Sequence, residues 1–99
     1  MKMNMQNLLM QAKKMQKDIE KTQKELESKI YEGSSQIVTA SVNGNGKLLS
    51  INIEIDDLTN DDKEMLEDMI LTAVNDAFKK VDADKEAKLS KYQGLAGMI

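Results

Sequence analysis

Four lysines, Lys14, Lys17, Lys21 and Lys24, follow one another at spacings of three, four and three residues, with Lys13 beside them. On a helix this spacing makes one stripe of ammonium groups. An ammonium is a compact, strongly hydrated positive charge with three donors, so the chemistry open to such a stripe is neutralising phosphate oxygens. The same stripe also reads as the solvated face of a helix. Asp18, Glu20, Glu25 and Glu27 lie close enough for helical ion pairs, each worth about a few tenths of a kcal/mol.

Other chemistries have less to work with. The 99 residues contain no Cys and no His, which removes disulfides, the usual structural zinc sites and every Ser–His or Cys–His arrangement. No paired general acid and base can be located, so no enzymatic activity, cofactor or small-molecule substrate is expected. The acidic group Asp61, Asp62, Glu64, Glu67 and Asp68 lacks the spacing of a calcium loop and reads better as helix capping and solubility. "GNG" lacks the lysine and context of a phosphate loop and reads as a turn.

The net charge is −3 and the sequence pI about 4.9, which is not the balance of a strongly basic nucleic-acid binder. Charge is unevenly placed, however. Residues 1–32 carry seven Lys against five acids, and residues 33–99 carry seven against twelve. Every basic residue is Lys. Without the bidentate guanidinium fork, contact with DNA should be weakly sequence-specific. Hydrophobic content of 40% and charged content of 31% suit a globular chain. No apolar run approaches a membrane span, no signal-peptide pattern opens the chain, and the lack of Cys fits the cytoplasm.

The stripe must be held by a helix. Met5, Leu8, Ala12, Met15, Ile19, Thr22 and Leu26 alternate at spacings of three and four, an a/d seam on the side away from the lysines. A helix from about Met3 to about Lys29 follows, roughly 40 Å long at 1.5 Å per residue. A compact chain of this length has a radius of gyration of about 13 Å, so such a helix should protrude. "EGSS" should stop it, with Gly33 near the C′ position. "QIVTASVN" and "KLLSINIEID" then alternate with period two. Val38, Ala40 and Val42 share one face of the first strand, and Leu49, Ile51, Ile53 and Ile55 one face of the second. "NGNG" at Asn43–Gly46 joins them in a tight turn with positive φ at Gly44, Gly46 or both. Ile30 and Tyr31 could begin a third strand. Thr59 or Asn60 caps a second helix over about Asp61–Lys88, apolar along Met65, Leu66, Met69, Ile70, Ala73, Val74, Ala77, Phe78 and Val81. "YQGLAGMI" reads as a frayed or docked tail. Met5, Met15, Met65 and Met69 read as core or dimer contacts.

The fold class is therefore α+β, one domain over residues 1–99: a long N-terminal helix, a small antiparallel sheet of two or three strands, and a C-terminal helix. So small a sheet leaves either the seam or part of the second stripe in water, which argues for a homodimer with projecting helices.

"DDKEMLEDMILTAVNDAFKKV" (Asp61–Val81) resembles the second helix of the YbaB/EbfC family of bacterial nucleoid-associated proteins. "NLLMQAKKMQKDIEKTQKELESKIYEG" is similar to that family's first helix, and "VTASVNGNGKLLSINIEID" to its hairpin, in the same order. The resemblance covers nearly the whole chain. It implies a small α/β dimer whose first helices project like the arms of tweezers, and a DNA-binding protein of the cytoplasm and nucleoid that coats or bends double-stranded DNA. It also favours the phosphate reading of Lys13, Lys14, Lys17, Lys21 and Lys24, since these fall on the arm. The alternative is a protein-interaction module whose first-helix seam captures a partner helix.

Overall fold

The computed structural model describes residues 5–96, and of residues 91 and 93–96 the backbone alone. The order is α1 (Met5–Ser28), β1 (Ile30–Ser35), β2 (Val38–Asn43), β3 (Leu48–Ile53), a 3-10 turn (Asn60–Asp62) and α2 (Lys63–Ala96). The three strands form one antiparallel sheet in the order β1-β2-β3.

α1 ends within a residue of the expected Lys29, but Gly33 is not its cap. The helix closes at Ser28, whose hydroxyl donates back to the carbonyls of Lys24 and Glu25 at 3.1 and 3.3 Å. Gly33 lies inside β1 opposite Ala40, and a Cβ there would overlap the backbone of Ala73 and Ala77. Glycine is needed for close strand–helix approach, and "EGSS" is a strand. Ser35 pairs with Val38, so Gln36 and Ile37 make a two-residue turn. Gln36 takes φ 51°, the positive value that such turns demand at their first central residue.

In the second hairpin the positive φ belongs to Gly46 (87°) and not to Gly44. Asn43 organises the turn, its Oδ1 accepting from the backbone N–H of Asn45 and of Lys47, both at 3.0 Å. The register slips between Ser41 and Val42: Ser41 faces Ser50, yet Val42 faces Leu48. Leu49 is thus the extra residue of a bulge. The expected face of Leu49, Ile51, Ile53 and Ile55 keeps Ile51 and Ile53 against the core, while Leu49 and Ile55 are exposed.

α2 lies across the sheet. Met69, Ala73, Ala77 and Val81, at spacings of four, are buried against Tyr31, Val38, Ala40 and Val42. Thr59, as expected, is the N-cap, here of the 3-10 turn that leads into α2, and the Asp62 carboxylate accepts from its N–H and Oγ1 at 3.1 and 3.0 Å. The helix does not stop near Lys88. It runs 34 residues to Ala96, roughly 51 Å, so most of the expected tail is helical; Gly97, Met98 and Ile99 lie outside the described residues. Of the methionines expected in the core or in a dimer contact, Met69 is buried and Met15 half-buried within the chain, and Met5 and Met65 are exposed on it.

The molecule is long, 75 × 20 × 13 Å with a radius of gyration of 20.5 Å, well above the compact value of about 13 Å. The C-terminal part of α2 leaves the sheet beside α1, with Gln23, Leu26 and Glu27 facing Lys85 and Leu89. The seam accordingly divides. Leu26 is buried and Met15, Ile19 and Thr22 half-buried, but residues 5–14 are exposed throughout. Most of the seam packs within the chain.

Candidate nucleic-acid interface

At about 100° per residue, Lys13, Lys14, Lys17, Lys21 and Lys24 centre on the side of α1 opposite the Met15–Leu26 stripe. That stripe turns toward α2, so the lysines turn away from the body. All five are exposed. Lys17, Lys21 and Lys24 share one shallow groove with Glu20 and Glu25, and Lys13 and Lys17 share the next with Gln16 and Glu20. Lys14 sits apart, beside Asn7, Met10 and Gln11 nearer the tip.

The helical ion pairs that the spacing allowed do not form. Among the described residues the ion pairs are Lys29–Asp84 and Lys80–Asp76, and neither includes a lysine of α1. The acids flank the stripe without closing on it. The face therefore presents unpaired ammonium groups along roughly three turns of a projecting helix, an arrangement that can track a phosphate backbone but carries no fork for reading a base edge.

The base of the arm is fixed by residues that the sequence patterns did not single out. Tyr31 Oη donates to Asp84 Oδ2 at 2.7 Å, and Lys29 Nζ donates to the same oxygen at 2.9 Å. The Lys29 ammonium also lies 5.2 Å from the centre of the Tyr31 ring. The Tyr31 hydroxyl and the Lys29 ammonium hold the Asp84 carboxyl below its ordinary range. Burial, reinforced by the Asp84 carboxylate, pushes the Tyr31 phenol up to about 12. Gly44 N–H donates to the Lys29 carbonyl at 3.2 Å, docking the β2–β3 turn under the helix end. Helix, sheet and α2 are thus tied where the arm begins. Only the Lys29 and Asp84 charges were visible in the sequence; their meeting across 55 positions was not.

Lys80 of α2 has a structural role. Its Nζ donates to the Glu32 carbonyl at 2.7 Å, while Ser34 N–H donates to Asp76 Oδ2 at 3.3 Å. The i, i+4 pair Asp76–Lys80 covers the outer edge of β1.

The chain matches known proteins along its length. The model of the YbaB/EbfC DNA-binding family matches residues 1–96. A nucleoid-associated protein of Streptococcus suis (strain 05ZYH33) is 45% identical, over 93% of this chain and 95% of that relative. One of Clostridium novyi (strain NT) is 45% identical, over 97% of this chain and 86% of the other. The crystal structure of an uncharacterized protein from Helicobacter pylori shares the fold with a TM-score of 0.71 at 24% identity, covering 93% of this chain and 99% of that one.

Proposed function

The chain belongs to the YbaB/EbfC DNA-binding family, and from that premise we propose that it works on the nucleoid as a homodimer that holds double-stranded DNA by phosphate contacts from the lysine faces of two arms. The observation that carries this reading is the unpaired, outward face of Lys13, Lys14, Lys17, Lys21 and Lys24. Point charges on a helix contact the backbone, so sequence preference should be weak.

The dimer is supported by the unequal edges of the sheet. Side chains of α2 cover the β1 edge, whereas among the described residues no side chain bonds to the outer edge of β3. Exposed Leu48 and Leu49 flank that edge, and Ile70 and Val74 of α2 are half-buried beside Ile51 and Ile53. An open strand edge beside apolar surface pairs favourably with a second copy of itself about a two-fold axis. Capture of a partner helix by the seam is the weaker reading, because Met15, Ile19 and Thr22 are half-buried, Leu26 is buried, and α2 lies beside Gln23, Leu26 and Glu27.

The test is a mobility-shift series across salt. Affinity should fall with a log–log slope of about −0.9 per phosphate contacted. If five contacts per arm form, the slope is about −4.5 per arm, or nearly three decades of affinity between 50 and 200 mM salt. Replacing Lys13, Lys14, Lys17, Lys21 and Lys24 by Gln should weaken binding to all duplexes alike and flatten the slope. Replacing Lys79, Lys85 and Lys88 should matter less, and Lys80 is left out because it holds the β1 edge. Unchanged affinity and slope in a folded five-fold variant would remove the lysine face from the interface.

A further inference from the structure

The two ends of the molecule differ in charge and match in apolarity. At one end, residues 5–14 of α1 are exposed on all sides, with Met5 75%, Leu9 59% and Met10 68% open to solvent. Met5, Leu8, Leu9 and Ala12 share one side of this end, an apolar stripe left exposed among the described residues. Residues 5–17 contain no acid and three lysines, Lys13, Lys14 and Lys17. At the other end, where α2 begins, Ile37, Ile55, Leu58, Met65, Leu66 and Met69 line a shallow apolar recess whose one polar lining residue is Asp62. Ile55, Leu58 and Met65 are 43%, 48% and 56% exposed. Residues 54–68 carry eight carboxylates against the single Lys63. α1 and α2 run antiparallel past the Lys29–Asp84 contact, so these two surfaces lie at opposite ends of the 75 Å axis.

We propose that the apolar, lysine-bearing tip of α1 docks in the acid-rimmed recess at the α2 start of another copy, so that copies associate head to tail. The occupant is a second copy because the chain itself supplies both halves of the match: flexible Met and Leu side chains for an apolar recess, and ammonium groups for its carboxylate rim. Because tip and recess are different surfaces, the contact is heterologous, and it gives open-ended rows unless its rotation closes a ring. Lys21 and Lys24, nearer the sheet, remain free for DNA while the tip is docked.

The experiment is light scattering on the full chain without DNA, over a concentration series at low and high salt. The apolar contact is helped by opposite charges, and screening acts over about 10 Å at 0.1 M salt. The average mass at low salt should therefore rise with concentration to at least about twice its high-salt value. A tip variant (Leu9→Gln with Met10→Gln) and two variants at the other end (Met65→Gln in the recess, and separately Asp61→Lys, beside the lining residue Asp62 in sequence) should each stay at the high-salt mass. All these residues are exposed, so folding should persist, as circular dichroism would show. Mixing the tip variant with a recess variant should restore association, because one brings an intact recess and the other an intact tip. A mass that is independent of salt and concentration overturns the proposal. So do recess variants that associate like the parent, the signature of tip-to-tip contact, and a mixture that fails to regain mass.

Discussion

Replacing Tyr31 by Phe keeps the buried ring and removes one bond, the 2.7 Å donation to Asp84. A hydrogen bond to a charged group contributes about 1.5–3 kcal/mol. Asp84 retains Lys29 and keeps 20% of its side chain exposed, so the lower end applies, about 1.5 kcal/mol. In a domain of this size that is a fall in Tm of about 6–12 °C. The pH dependence has two limbs. Asp84 is held low in the fold, so its contribution is present above the unfolded carboxylate value of about 3.9 and is lost as pH falls through the folded value. Tyr31 is raised to about 12, so its contribution is complete below the unfolded value of about 10 and is lost as pH rises from there through about 12. Thermal unfolding by circular dichroism at pH 3, 7 and 11 should therefore show the parent's advantage largest at pH 7. Phenolate absorbance should show one tyrosine titrating near 12 in the parent and missing from the variant. An unchanged Tm at pH 7, or a parent in which no tyrosine ionises near pH 12, would refute the clasp as a stabilising contact.

Three further outcomes follow from the packing. Gly33→Ala should destabilise by about 1–3 kcal/mol in chemical denaturation, because the new Cβ meets the backbone of Ala73 and Ala77 and α2 must lift from the sheet. Gly46→Val should cost about 1 kcal/mol or more through backbone strain alone, since nothing lies within 4 Å of a Cβ there; DNA affinity should persist, which a mobility shift checks. Val74→Asp should lower the mass in light scattering coupled to size exclusion at high salt from twice 11.1 kDa to a smaller or unfolded species, because it puts an unpaired charge beside Ile51, Ile53 and the proposed dimer face.

Local signals explain why much of the fold was legible in the sequence. The period of three and four in Met5–Leu26, the period of two in Val38–Val42, the Asn-Gly turn and the stripe Met65–Val81 each depend on neighbours a few positions away, and each gave the expected kind of element, although α2 runs past its expected end near Lys88. The lysine stripe was legible for the same reason, since helical geometry alone places Lys17, Lys21 and Lys24 together. What failed were signals with two local meanings. Gly33 reads equally as a helix cap or as a site of close approach, and only the passage of α2 over β1 decides between them. "YQGLAGMI" reads as a frayed or docked tail after a helix ending near Lys88, yet α2 continues to Ala96. The Leu49 bulge breaks an alternation that looks regular along the chain, because register is set across strands. Nor could the sequence say which face of α1 stays free: a seam of this kind serves a second copy as well as it serves α2. Tertiary structure settled that by turning Met15–Leu26 inward, and so turned Lys13, Lys14, Lys17, Lys21 and Lys24 to solvent. The Tyr31–Asp84–Lys29 clasp at the arm's base joins residues 53 and 55 positions apart. No local periodicity encodes such a pairing, so the folded chain alone determines it.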